Sequence, residues 1–271
     1  MTRELQEIQE FTIRIAQGAG KIICEHREEA ELTSEFKRGT ELVTNADLAA
    51  DKYISDAIQQ QYPGHLIVSE ESSPDIGNIQ KLKQPVWIVD PIDGTVNFAH
   101  GHNQSAVSIA FVNQHQVSVG VVFNPFTDEM FTAQKDGGAF LNGEAIQVAQ
   151  ESNLRRAIIA TGFPYEKSNM EPMIRRVREV LNHCADIRRL GSAALDICWV
   201  AVGRLDGYYE SLSVWDFAAA RLIALEAGAK CGNFSEVPEE IDPQFYDQDL
   251  LITNEALYPQ LLAVLHSAEG H

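Results

Sequence analysis

Apolar residues at Leu5, Ile8, Ile15, Ala19, Ile22 and Ile23 recur at helical spacing and predict an amphipathic helix over residues 4–29. The polar, glycine-containing run over 36–43 predicts a loop or short hairpin. Thr44-Asn45-Ala46-Asp47 carries a Thr-x-x-acid capping signal and opens a second helix that ends before Pro63-Gly64. Two short apolar runs, 65–68 and 86–89, predict buried strands. Pro91 is expected to stop the second, and Gly94 to let the backbone reverse.

Strand-like runs then follow at 106–112, 116–123, 129–134 and 138–141. Asn124-Pro125, Asp136-Gly137 and Asn142-Gly143 punctuate them, which predicts an antiparallel meander. From Arg156 strand and helix alternate: strands over 157–161, 206–210 and 250–253, and helices over 172–181, 192–202, 215–226 and 256–266. Gly228 stops the third of these helices. The shift near 142–156 reads as a change of sheet inside one domain, residues 1–271. Its approximate halves are 1–145 and 146–271, with an active site expected between them.

Composition narrows the class. The chain has 271 residues, 45% of them hydrophobic and 22% charged, enough for a sizeable core. A formal charge of −18 opposes a nucleic-acid backbone or an anionic membrane as partner. Cys24, Cys184, Cys198 and Cys231 are scattered, so neither a disulfide framework nor a zinc cluster is expected, and a reducing cytoplasm is the default. The first residues lack the apolar stretch of a signal peptide, and no run approaches a membrane span. No Walker or Gly-x-Gly-x-x-Gly motif supports a nucleotide cofactor.

The chemistry concentrates in Asp90-Pro91-Ile92-Asp93-Gly94-Thr95. Two carboxylates just past a strand end, with backbone N–H groups and a hydroxyl behind them, suit a hard divalent cation bridged to a phosphate. Asp-Pro and Asp-Gly pairs also serve as plain turn chemistry. Glu70, at the end of the 65–68 strand, and Asp216, opening the 215–226 helix, extend the set. Four crowded carboxylates repel one another unless metal ions relieve the charge. Asp47 and Asp216 have a second reading as first-turn acids favoured by the helix dipole, and a cap is compatible with a ligand role.

The ordered words Leu42-Val43-Thr44 to Asp47, Glu70-Glu71-Ser72, Trp87 to Phe98, Gly191-Ser192-Ala193-Ala194, Asp206-Gly207-Tyr208-Tyr209-Glu210 and Trp215-Asp216 to Gly228 resemble the inositol monophosphatase family. That family comprises Mg²⁺-dependent, lithium-sensitive phosphatases. The resemblance implies an α/β fold of the α+β type, a layered α/β/α/β/α sandwich. It implies two or three Mg²⁺ ions: Glu70, Asp90 and the Ile92 carbonyl at the first, Asp90, Asp93 and Asp216 at the second, and Glu70 at a weaker third. The attacking water would lie near Glu70 and Thr95, with Asp47 orienting the Thr95 hydroxyl. Gly94 and Thr95 N–H groups would bind phosphate, while Asp93, Gly191, Ser192, Ala193, Glu210 and Asp216 would face the substrate. A homodimer is the family expectation. The chain departs from some animal members at Phe36, where they carry lysine, and over 211–214, which is one residue shorter.

The expected activity is hydrolysis of a sugar-alcohol phosphate, foremost myo-inositol 1-phosphate. Fructose 1,6-bisphosphate, histidinol phosphate, NADP and 3′-phosphoadenosine 5′-phosphate are the alternatives, although no aromatic-basic adenine pocket is visible. A non-catalytic binding module is the reading from another class, and the complete carboxylate set weighs against it. His100 and His102 read as surface loop residues. Arg175-Arg176 reads as a solvated face, and Arg188-Arg189 as a subunit interface or substrate rim.

Overall fold

A computed structural model describes residues 3–28, 34–37, 41–72, 79–164, 167 and 169–269. In chain order the first half contains α1 (Arg3–Glu28), β1 (Ser34–Lys37), β2 (Glu41–Thr44), α2 (Asn45–Gln61), β3 (Leu66–Ser69), β4 (Val86–Asp93) and α3 (Thr95–Ala99). The meander follows as β5 (Ala106–Asn113), β6 (Gln116–Asn124), β7 (Glu129–Gln134), β8 (Gly138–Leu141) and β9 (Glu144–Ala145). The second half contains β10 (Ile158–Thr161), α4 (Glu171–His183), β11 (Asp186–Arg188), α5 (Ala193–Ala201) and β12 (Gly207–Glu210). It closes with α6 (Val214–Glu226), β13 (Lys230–Asn233), β14 (Leu250–Thr253) and α7 (Tyr258–Glu269). Glu29, the expected end of the first helix, and residues 38–40 of the expected hairpin lie outside the described residues.

Strands β3 to β9 form one sheet in sequence order, parallel between β3 and β4 and antiparallel thereafter. The second sheet runs β11-β10-β12-β14-β13. Period-two alternation assigns the faces of the first sheet. Trp87, Val89, Ile109, Phe111, Val119 and Val121 pack with α1 and α2, while Val86, Ile88, Ala110 and Val122 pack with α5 and α6. The second sheet covers the other side of α5 and α6 through Ala160, Tyr208, Leu250 and Ile252. Its outer face, with Ile159, Tyr209 and Leu251, packs against residues of α4 and α7. The order of layers is therefore α/β/α/β/α, as expected.

The middle layer explains why α5 and α6 are apolar nearly all round: each is covered by a sheet on both sides. Close approach requires small residues. A Cβ on Gly120 of β6 would lie 2.6 Å from the Ala219 carbonyl oxygen of α6.

Two expectations are corrected. The strand that begins at Val86 does not stop at Pro91 but continues to Asp93. Asp90 pairs with Ser108 and Asp93 with Ala106, so Pro91 and Ile92 together oppose Val107 alone, which is a β-bulge. A bulge tolerates proline because the missing N–H falls where the ladder is already interrupted. The short strands β11 and β13 and the one-turn helix α3 had no periodicity long enough to announce them. Arg176 is also not a solvated residue. It pairs with Glu269 of α7 at 2.5 Å and lies 4.9 Å from the Phe234 ring centroid.

Candidate active site

The bulge decides the site. In an unbroken strand, residues three apart point to opposite faces; the extra residue restores Asp90 and Asp93 to the same side. Ile92 is turned instead into the α1/α2 core. Gly94 follows at φ 92°, and a Cβ there would meet the Gln104 carbonyl oxygen at 2.8 Å, so glycine is required twice over. Thr95 then opens α3.

Glu70 leaves the end of β3 with its N–H still 3.3 Å from the Val89 carbonyl, which keeps it beside Asp90. Asp216 is the third residue of α6, where its Oδ2 accepts the Ser213 N–H at 2.8 Å. Asp47 occupies the same position in α2. One of its oxygens accepts the Thr44 N–H at 2.8 Å and the other the Thr95 hydroxyl at 3.0 Å. Cap and site roles coexist because each carboxylate has two oxygens. The Thr95 hydroxyl also lies 3.0 Å from the Ile92 carbonyl, a competing acceptor for its one proton.

Ligand oxygens of Asp90, Asp93 and Asp216 lie within 4.8 Å of one another. Burial, and then the charges of Glu70, Asp93, Asp216 and Asp47, push the Asp90 carboxyl well above its ordinary value. Burial, and then Asp93, does the same to Asp216. Burial lifts Asp93 to about 6, against hydrogen bonds from Ser192 and Ala194 that favour its charge. Without counter-ions this is an expensive arrangement. An all-oxygen donor set of this density fits a hard divalent cation, whose charge would keep the acids ionised.

The two halves meet at α5. Ser192, its N-cap, donates its hydroxyl to Asp93 Oδ2 at 2.6 Å, and the Ala194 N–H donates to the same oxygen at 2.7 Å. Asn97, a member of the 87–98 stretch with no role assigned from sequence, ties the halves together. Its side-chain amide donates to the Gln104 and Leu190 carbonyls at 2.8 and 2.7 Å. The N-termini of α3, α5 and α6 thus all border the acids, and their dipoles oppose part of the negative charge.

Glu70, Asp90, Ile92, Asp93, Gly94, Thr95, Gly191, Ser192, Ala193, Glu210 and Asp216 all line one cavity of about 310 Å³. Asp47 does not reach it and stands fully buried behind Thr95. Glu210, at the end of β12, accepts the Tyr208 hydroxyl, and burial lifts its carboxyl to about 7. It passes so close to Gly162 that a Cβ there would lie 2.0 Å from its oxygens. Arg189 also lines the cavity, its guanidinium 5.4 Å from the Phe163 ring centroid, which favours the substrate-rim reading of that basic pair. His100 and His102 are exposed and do not line it.

Sequence reasoning passed over Gly162, Phe163, Asp196 and Tyr208 as site residues and left Arg189 between a subunit interface and a substrate rim. A signal was present for Asp196 alone, an acid inside the otherwise apolar run Ala193-Ala194-Leu195-Asp196-Ile197-Cys198.

Five alternating layers that pool carboxylates at strand and helix ends drawn from distant parts of the chain define the class of metal-dependent, phosphatase-fold proteins. The chain belongs to the inositol monophosphatase family, whose sequence profile matches residues 4–269. It is 42% identical over 228 residues to a Nus factor SuhB of Vibrio cholerae, covering 83% of this chain and 84% of that protein. It superposes on the extragenic suppressor protein suhB of Bartonella henselae with a TM-score of 0.86 at 34% identity, covering 96% of this chain and 98% of that one. It is also similar to an inositol monophosphate-bound SaIMPase-II, with a TM-score of 0.81, 28% identity and coverage of 97% and 95%. Among the described residues no helix is long and apolar enough to cross a membrane.

Proposed function

We propose that this protein is a Mg²⁺-dependent phosphomonoesterase that hydrolyses a sugar-alcohol phosphate, foremost myo-inositol 1-phosphate. The observation that carries the reading is the acid trio within 4.8 Å, set beside the Thr95–Asp47 hydrogen bond at one end of an open cavity. Glu70, Asp90, the Ile92 carbonyl, Asp93 and Asp216 would hold the metal, two or three ions in all. When bound, Mg²⁺ supplies an activated water and neutralises charge on the departing alkoxide.

The chain's own groups do the rest. The Thr95 hydroxyl donates its hydrogen bond to Asp47 or to the Ile92 carbonyl, which leaves its lone pairs to accept from and orient a water in the cavity. Asp47 is held by Thr44 and acts through Thr95 as a positioning residue. The N–H groups of Gly94 and Thr95 donate to phosphate oxygens. Ser192 and Ala194 fix one oxygen of Asp93, so the other faces the metal and the alcohol. Glu210 has one oxygen occupied by Tyr208 and offers the second to a substrate hydroxyl, alongside Gly191, Ser192 and Ala193.

A cavity of about 310 Å³ favours a monosaccharide-sized ester over a nucleotide. The inositol monophosphate bound to a family structure at 28% identity supports the same choice. Phosphate release should be followed for myo-inositol 1-phosphate, fructose 1,6-bisphosphate, histidinol phosphate, NADP and 3′-phosphoadenosine 5′-phosphate, with Mg²⁺, EDTA or lithium. The expected result is highest kcat/KM on the inositol ester, loss in EDTA and inhibition by lithium. A higher kcat/KM on another ester replaces the substrate.

The relatives named Nus factors favour a second reading, a binding role for this fold instead of turnover. Metal binding without phosphate release from any of these esters would select it. A homodimer and a cytoplasmic location complete the proposal; light scattering and fractionation test them.

A further inference from the structure

Asp196 sits in the first turns of α5, 2% exposed, between Leu195 and Ile197, which are wholly buried. Its Oδ1 has no hydrogen-bond partner among the described residues. A backbone hydrogen bond with Leu190 supports the carboxyl from one side. The Tyr208 hydroxyl goes to Glu210, and the Arg189 guanidinium, 5.4 Å from the Phe163 ring centroid, acts on Asp196 by its charge without a hydrogen bond to Oδ1. A buried, unpartnered carboxyl oxygen forfeits its hydration with nothing in return, and the more so if charged. A purely structural position in an apolar helix would carry an apolar residue. Asp196 is among the residues that line the cavity, with Glu210, Tyr208 and Ala193.

We propose that Asp196 is a specificity-determining residue that takes a second hydroxyl of the substrate alcohol, next to the one that Glu210 accepts. This deepens the phosphomonoesterase reading and rests on it. It narrows the substrate to polyol esters carrying two hydroxyls within reach of one wall. A hydroxyl both donates and accepts, so it satisfies Oδ1 whether the carboxyl is charged or neutral. Burial, and then the charges of Asp93 and Glu210, favours the neutral form, which donates.

The test compares myo-inositol 1-phosphate with cyclohexyl phosphate, the same ring without hydroxyls, in the Mg²⁺-loaded protein. Asp196→Leu is expected to lower the inositol-to-cyclohexyl ratio of kcat/KM by about 10- to 100-fold, chiefly through KM. Asp196→Asn, which keeps the shape and a donor and an acceptor, should restore most of the ratio. An equal fall on both esters would make Asp196 structural and overturn the proposal; so would an unchanged ratio. If the unmutated protein hydrolyses neither ester, the phosphatase reading has failed. Calorimetric binding of myo-inositol 1-phosphate then decides the role of Asp196: weaker binding by Asp196→Leu supports it, and equal affinity overturns it.

Discussion

Replacing Asp90 by Asn separates the stability of the acid cluster from its function. Asn keeps the shape and can still accept the Ile92 N–H, which lies 3.0 Å from Oδ1 in the native residue. Its amide N–H can donate to Asp216. What is lost is one negative charge among oxygens that lie within 4.8 Å. At an effective dielectric of about 20, two unit charges at that separation repel by roughly 3.5 kcal/mol. Proton uptake by the cluster caps this cost, since the raised carboxyls of Asp90 and Asp216 bind protons before the full repulsion develops. The metal-free variant is therefore expected to be about 1–3 kcal/mol more stable than the parent, a rise of roughly 3–10 °C in Tm. The same variant should lose both phosphate release and the stabilisation given by Mg²⁺. Thermal unfolding in EDTA and in Mg²⁺, with a phosphate-release assay on the same samples, reads all three. A variant that is less stable without metal yet still stabilised by Mg²⁺ would refute the reasoning.

Thr95→Val conserves volume and removes the hydroxyl that Asp47 accepts, so kcat should fall at least about 100-fold with KM little changed; a loss confined to KM would count against the positioning of water. Gly120→Ala forces a Cβ to 2.6 Å from the Ala219 carbonyl and should cost about 1–3 kcal/mol, read as a lower Tm without a change in metal affinity. The pH dependence follows from Asp93 at about 6 and Glu210 at about 7. Both folded values lie above the unfolded ones, so the native state holds protons that the unfolded chain releases. Metal-free stability should fall as pH rises from about 4 to about 7. Mg²⁺ binds the ionised site, so the Tm gap between Mg²⁺ and EDTA should widen over that range, and Glu210→Gln should flatten the EDTA curve. A gap that narrows with pH contradicts the assignment.

Elements with long periods or strong local chemistry were legible in the chain. The 3.6-residue pattern of α1, the Thr44–Asp47 cap of α2 and the Gly and Asn turns of the meander each rest on contacts between near neighbours. The family's ordered words placed eleven of the twelve chosen site residues on one cavity and the twelfth, Asp47, directly behind it. The run through Pro91 was not legible, because proline alone reads as a strand stop. Only pairing with β5 makes it a bulge.

Local spacing thus determined the helices, the strands and the caps, since those depend on residues a turn or a strand apart, while the layer order was what the family resemblance implied. Tertiary structure decided how the acids converge. The bulge turns Asp90 and Asp93 to one side, Asn97 fastens the β4 turn to the segment before α5, and burial raises the carboxyls by removing water. It also brought Asp196, Tyr208 and Glu210 to one wall. Those three are contributed by a helix and a strand whose adjacency arises only when both sheets close over the middle layer, so no spacing along the chain encodes their meeting.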